Sequence, residues 1–163
     1  FVFLAVFAGY SSGMSPIMGY HYGAQNHSEM TNVLKRSLYM LGISAVVLTA
    51  VALIFAKSFA SFFVGYDANL LDMTTKAFRI CSLPFFIMWF NIYSSSFFTA
   101  LNDGKVSAAI SFMRSLVFPV LCIIVMPIIW GLDGIWYSLV ASEVLNLMVS
   151  LWFMLNKRKK YGY

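Results

Sequence analysis

Five long apolar stretches dominate this sequence, and short polar breaks separate them. A helix needs about 20 apolar residues to cross a hydrocarbon core of about 30 Å, and each stretch reaches that length. Backbone polar groups inside a bilayer must be satisfied within the segment itself, which a helix does. The predicted spans are residues 1–22, 33–63, 76–101, 106–130 and 135–155, followed by a basic tail at 156–163.

The scarcity of charge excludes a water-soluble globule. Only 10% of the 163 residues are charged and 61% are hydrophobic, whereas soluble domains carry about 25% charged residues. The breaks between the spans are too short to hold a soluble domain. We therefore expect an all-α, polytopic integral membrane protein whose first partner is the lipid bilayer.

The distribution of lysine and arginine predicts the orientation. If the loop at 23–32 is cytoplasmic, seven basic residues lie inside and three, Lys57, Lys76 and Arg79, lie outside. Short cytoplasmic segments carry the excess of positive charge. We expect a multi-pass protein of the cell membrane with a cytoplasmic C-terminus.

The first span contains a stripe of residues that weaken a helix. Gly9, Gly13, Pro16, Gly19 and Gly23 fall within about 120° of one another at 100° per residue. Stripes of small residues let helices approach closely in lipid, and Pro16 is expected to bend the helix. The stripe predicts a helix-packing surface.

Five short motifs occur in an order that is typical of one transporter family. They are "GYSSGMSPIMGYHYGAQN" at 9–26 with "NVLKR" after it, "LPFF" at 83–86, "ALND" at 100–103, "RSLVFPV" at 114–120 and "GLDGIWYSLVASEVLN" at 131–146. Together they resemble the multidrug and toxic compound extrusion (MATE) family. The resemblance implies a twelve-helix transporter with two bundles around a central cavity, of which this chain would be the last five helices of the second bundle.

Several further expectations follow from the resemblance. The partners would be a small organic substrate and the missing N-terminal part of the same chain, with no nucleic acid. No cofactor is expected, since a proton or sodium gradient would drive transport. Some family members carry an acidic coupling residue in the helix that the third span resembles, but here the segment reads "FFIMWFN". That absence argues against sodium coupling through this helix.

Polar residues inside spans are candidates for function, because each is unfavourable in lipid. Asn91, Ser95 and Thr99 lie four residues apart and form one stripe on the third span. The stripe either lines a substrate or ion pathway or makes hydrogen bonds to another helix.

Two charges are predicted near the middle of the membrane. Arg114 lies about 13 Å from one end of its span and Glu143 about 15 Å from the other end of the next, at 1.5 Å per residue. Asn146 lies close to the face of Glu143. A facing Arg114–Glu143 pair would be either a static ion pair or a site that opens so that Glu143 takes a proton or meets a cationic substrate. In a third arrangement, one or both charges simply face water.

Three functions remain open at this stage. The first is part of a cation-coupled antiporter that exports organic, cationic, drug-like compounds. The second is a flippase for lipid-linked saccharides or amphiphiles of the same superfamily, and the third is a membrane scaffold subunit that does not transport. An enzyme is not expected, because the sequence has no P-loop, HExxH, CxxC or GxSxG motif.

Overall fold

The structure, a computed structural model, describes residues 2–163, so Phe1 of the first predicted span lies outside the described residues. The described part of the chain is helical and contains no β-strand. The elements are α1 Val2–Gly23, α2 His27–Ile54, α3 Ala56–Val64, α4 Ala68–Ser82, α5 Phe85–Ala100, α6 Gly104–Phe112, a π-helical segment Met113–Val117, α7 Phe118–Trp130 and α8 Leu132–Tyr161.

Five stretches of helix are long and apolar enough to cross a membrane. They are Val2–Gly23, His27–Ile54, Ala68–Ala100, Gly104–Trp130 and Leu132–Tyr161. The third joins α4 to α5, and the fourth joins α6, the π-helical segment and α7. The predicted all-α, polytopic membrane bundle is therefore confirmed.

The second predicted span, 33–63, is divided in the structure. Helix α2 ends at Ile54, and α3 begins at Ala56. Phe55 between them has φ −91° and ψ 7°, outside the helical region, although its N–H still bonds the Val51 carbonyl. A break at one residue keeps the hydrophobic periodicity almost intact, which is why apolar length alone predicted one helix.

The third predicted span, 76–101, is interrupted at Pro84 and starts earlier than expected. Asp67 caps α4, because its carboxylate accepts hydrogen bonds from the backbone N–H groups of Asn69 and Leu70. At the other end, Leu83 N–H bonds Ile80, three residues back, as the helix tightens before the proline. Pro84 has no N–H to continue the ladder, so α5 starts anew at Phe85.

The segment predicted as a basic tail, 156–163, continues the last helix of the structure. Helix α8 continues to Tyr161, and Gly162 ends it with a left-handed φ of 71°. Tyr161 and Tyr163 are both buried. Tyr163 packs its ring edge-on against Phe97 with centroids 4.8 Å apart, so the aromatic side chains hold this segment to the bundle.

Helix α5 is central in the bundle and contacts α1, α2, α6 and α8. Its buried Tyr93, Phe97 and Phe98 belong to the main hydrophobic core, together with Phe7 and Met18 of α1. Every polar residue on α5 must therefore meet one of four neighbouring helices or a cleft between them.

The glycine stripe of α1 faces away from this core. The buried residues of α1 are Phe7, Ser11 and Met18, which lie on the side opposite the stripe at 100° per residue. An added Cβ would approach a neighbour at one position, Gly19, where it would lie 3.3 Å from the Ala100 carbonyl oxygen. At Gly9, Gly13 and Gly23 no atom lies within 4 Å of the Cβ position, so no helix among residues 2–163 packs closely there and the packing surface stays a prediction. Helix α1 runs through Pro16 as one α-helix.

Two glycines shape the tight hairpin between α7 and α8. Gly131 has φ 59° and ψ −136°, a conformation that favours glycine. Gly134 lies so close to α7 that a Cβ would overlap the Met126 carbonyl and sit 2.8 Å from the Pro127 Cα. This close approach confirms that α7 and α8 are neighbours, as the short "GLDG" turn predicts.

Candidate functional site

A π-helical turn positions Arg114. Over Met113–Val117 the hydrogen bonds widen, and the N–H of Phe118 bonds the carbonyl of Met113, five residues back. Pro119 follows in the first turn of α7 and has no N–H for the Ser115 carbonyl, so the regular ladder cannot continue there. Single π-helical turns occur frequently at functional sites.

Arg114 and Glu143 form an ion pair between the π-helical segment and α8. The Arg114 Nε donates to Glu143 Oε1 over 3.1 Å, and the two side chains are 23% and 10% exposed. Asn91 supports the same carboxylate from α5, because its Nδ2 donates to Glu143 Oε2 over 2.7 Å. The predicted contact between Arg114 and Glu143 is thereby confirmed, while its role stays a prediction.

Unpaired polar atoms lie beside this ion pair, along the seam between α5 and α8. Asn146 is 0% exposed, one turn from Glu143, and neither its Oδ1 nor its Nδ2 has a partner within residues 2–163. Buried polar groups are normally hydrogen-bonded, so the seam offers donors and acceptors to water or an ion. The other unpaired atoms of the seam are Asn91 Oδ1, Ser94 Oγ and Ser150 Oγ.

The predicted stripe of α5 divides between two neighbouring helices. Asn91 faces α8, whereas Ser95 lies 3.1 Å from the Ser107 hydroxyl and 2.7 Å from that of Ser111 across α6. Thr99 also contacts the Ser107 hydroxyl, at 2.6 Å. The alternative that Ser95 and Thr99 hydrogen-bond another helix is confirmed, and their part in a pathway stays a prediction.

Two cavities lie beside α5, and one of them reaches the residues that hold Glu143. A groove of about 470 Å³ between α1 and α5 is lined by polar and small residues, and a cleft of about 160 Å³ between α5 and α6 reaches Asn91 and Arg114. Ser96 lines both cavities. The groove is lined by Ser12, Ser15, Pro16, Ser96 and Thr99.

The sequence reasoning missed three of these groove residues, Ser12, Ser15 and Ser96. A signal existed, because Ser94–Ser96 is a run of three serines in the middle of a span. Within residues 2–163 no group of three or more His, Cys, Asp or Glu residues could hold a metal ion.

Comparison with known proteins supplies the family. The family model MatE matches residues 1–124. The chain belongs to the MatE family. No curated protein and no solved structure matches it.

Membership of the MatE family makes the chain a membrane protein of the efflux-transporter type, and proteins of this family are transporters rather than enzymes. The matched region contains Asn91, Arg114 and the serines of the two cavities. It ends inside α7, before Glu143 and Asn146. The case for Glu143 therefore depends on its geometry in the structure.

Proposed function

We propose that the chain is part of a cation-coupled antiporter that exports organic cations, with Glu143 as the group that binds the coupling proton. The observation that carries the proposal is a buried glutamate whose carboxylate is held by Arg114 and Asn91, two residues that line the cleft between α5 and α6. Charges at such a depth are unfavourable in lipid and mark transport pathways.

The proposed mechanism is an exchange of partners at Glu143. When Arg114 swings towards the cleft, the carboxylate loses its cation. A proton from the aqueous phase then binds to Oε1 or Oε2. The protonated acid no longer attracts Arg114 or a cationic substrate, so the substrate leaves. Loss of the proton to the other side restores the charge and the ion pair.

The neighbouring polar atoms support this role for Glu143. A proton reaches a buried carboxylate through water, and water needs hydrogen-bonding partners along its route. The hydroxyls of Ser95 and Ser111 and the unpaired amide of Asn146 supply such partners on two sides of the ion pair. Serine hydroxyls suit this role because each can donate and accept.

The open face of α1 supports a partner for the bundle. Gly9, Gly13 and Pro16 are exposed, and a helix could approach them closely. We propose that a further set of helices, from the N-terminal part of the same protein, packs across this face and closes the α1–α5 groove into a central cavity. Transport by alternating access requires two such bodies around one site.

A transport experiment tests the proposal. Proteoliposomes containing the complete transporter should release a fluorescent organic cation such as ethidium when a proton gradient is imposed. The variant Glu143→Gln, which preserves shape but cannot exchange a proton, should abolish the dependence on the proton gradient. The matched control Glu29→Gln, at the exposed start of α2, should transport like the wild type.

Three outcomes would contradict the proposal. Transport that follows a sodium gradient alone would assign coupling to sodium. Translocation of a lipid-linked saccharide without efflux of cations would favour a flippase. Full proton-driven efflux by Glu143→Gln would show that the ion pair is structural.

A further inference from the structure

A third cavity, the hairpin pocket, lies between α7 and α8, apart from the groove and the cleft described above. It has a volume of about 530 Å³ and shares no lining residue with the α1–α5 groove or the α5–α6 cleft. This is the size range of sites for small organic molecules. Its lining residues are Met126, Trp130, Asp133, Tyr137, Val140 and Ala141.

Two aromatic rings form one wall of this hairpin pocket. The centroids of Trp130 and Tyr137 are 6.3 Å apart with an angle of 63° between the planes. Both residues are partly exposed, at 54% and 39%, so parts of their surfaces are available to a ligand. The face of an aromatic ring attracts a cation, and tryptophan does so most strongly.

A carboxylate completes the set of polar groups in the pocket. Asp133 lies in the first turn of α8 and contacts the Lys76 Nζ of α4 over 2.7 Å. Both side chains are about half exposed, 56% for Lys76 and 44% for Asp133. An ion pair of this exposure is weak, and the flexible lysine can leave the carboxylate when another cation arrives.

We propose that the hairpin pocket binds an amphiphilic organic monocation from the aqueous phase and that Lys76 is its internal competitor. The cation lies against Trp130 and Tyr137 with its charge at Asp133, and its apolar groups rest on Met126 and Val140. An anion of the same size and shape is repelled by the carboxylate and by the electron-rich ring faces. The proposal does not depend on proton coupling at Glu143, because it uses none of the same residues.

Equilibrium binding of tetraphenylphosphonium to the full chain in nanodiscs of phosphatidylethanolamine tests this site. Tetraphenylborate has the same shape and the opposite charge, and after subtraction of its binding to protein-free nanodiscs it should bind more weakly, by up to about fivefold, the upper end of what an exposed charge pair contributes. Asp133→Asn should weaken tetraphenylphosphonium binding by a similar factor. Trp130→Leu should also weaken it, because the cation loses a ring face.

Removing the internal competitor should have the opposite effect. Lys76→Gln frees Asp133 and should strengthen binding by about two- to fivefold, the range of an exposed ion pair. Lys57→Gln makes the same change of net charge at an exposed residue of α3 that does not line the pocket. It should leave the affinity unchanged, which separates local competition from a general field effect.

Four results would overturn the proposal. The first is equal binding of tetraphenylborate, and the second is a loss of affinity in Lys76→Gln. The third is a wild-type affinity in Asp133→Asn. The fourth is binding that disappears in phosphatidylcholine nanodiscs, because the occupant would then be the quaternary ammonium headgroup of a lipid. Circular dichroism of each variant confirms that the helices are intact. Each comparison is repeated in the Glu143→Gln background, where the proposed transport site is removed, so that the differences between variants report the hairpin pocket alone.

Discussion

Asp103 and Glu143 are both paired with basic side chains in the bundle, yet their surroundings differ. Asp103 caps α6 and accepts hydrogen bonds from the Val106 N–H and from the Tyr161 hydroxyl, the latter at 2.5 Å. Lys157 and Lys160 lie 3.7 and 4.0 Å from its Oδ2. Asp103 therefore has several donors, one of which belongs to the backbone and cannot move away.

Glu143 has fewer partners, although its side chain is about as buried, at 10% exposed against 12% for Asp103. Its side-chain donors are one guanidinium nitrogen of Arg114 and one amide of Asn91. The Arg114 side chain is 23% exposed towards a cleft, and unpaired polar atoms lie one turn away at Asn146. The comparison suggests that a carboxylate with many fixed donors holds helices together, whereas one with few movable donors can exchange them.

The largest expected effect concerns the Arg114–Glu143 pair. Arg114→Gln leaves a buried carboxylate without a cation and should lower the free energy of unfolding by about 3 kcal/mol. Glu143→Gln should lower it less, because the remaining guanidinium can reach the cleft. The double variant should lose less stability than the sum of the two single losses, by about 0.5–3 kcal/mol. Titration with denaturing detergent measures the three values, and strictly additive losses would show that the two residues act independently.

The next effect concerns Asn91, the second donor to Glu143. Asn91→Leu removes the hydrogen bond to Oε2 and should destabilise the bundle by about 1–3 kcal/mol, because a buried acceptor is left unsatisfied. In the background of Glu143→Leu the same substitution should have a smaller effect, because only the 3.1 Å hydrogen bond from Asn91 Nδ2 to the backbone carbonyl of residue 143 is then lost. The same detergent titration provides the measurement. A loss that is equally large in both backgrounds would mean that the hydrogen bond to the carboxylate contributes nothing.

A smaller effect is expected at Asp103. Asp103→Ala removes a helix N-cap and should reduce the free energy of unfolding by about 1 kcal/mol, while efflux in proteoliposomes continues. Asp103→Asn retains an acceptor for the Val106 N–H and should recover part of the loss. Efflux abolished by Asp103→Asn would break the contrast between the two carboxylates.

The smallest effect is a dependence on pH. The hydrogen bond from Tyr161 is the main cause that lowers the pKa of Asp103, with help from the Val106 N–H and the two lysines and against the effect of burial. A lowered pKa stabilises the fold above the unfolded value of about 3.9, and this stabilisation is lost as the pH falls through the folded pKa. Tyr161→Phe should raise the pKa towards the ordinary value. Its destabilisation relative to the wild type should therefore be present at neutral pH and diminish in acid.

The variant Asp103→Asn is the control for this dependence of stability on pH. The difference in stability between the wild type and Asp103→Asn should shrink as the pH falls, because both side chains are then uncharged. A difference that stays constant down to acid pH would mean that the charge of Asp103 contributes nothing.

The overall architecture could be predicted from the sequence because membrane helices have a length requirement. The ion pair could also be predicted, since Arg114 and Glu143 are counted from opposite ends of two spans joined by a four-residue turn. Because the two residues lie at similar depth in the membrane and on adjacent helices, few other partners remained for either charge.

Other features depend on contacts that composition does not encode. The glycine stripe of α1 indicates close packing, but the direction of that face is set by where Phe7 and Met18 find the core. The basic tail reads as a polar terminus, yet Tyr161 and Tyr163 bury their rings and continue the bundle. The π-helical turn before Pro119 and the division of the α5 stripe between α6 and α8 likewise follow from tertiary packing.

Proton release on substrate binding tests the role of Glu143 most directly. In weakly buffered solution at a pH low enough for the transporter to carry its coupling proton, adding ethidium to the complete transporter in detergent should release protons from the wild type, and from Asp103→Asn to the same extent. Glu143→Gln should release none, because the group that exchanges a proton for the cation is gone. Undiminished release from Glu143→Gln, with release lost in Asp103→Asn, would contradict the assignment and move the coupling site to the other carboxylate.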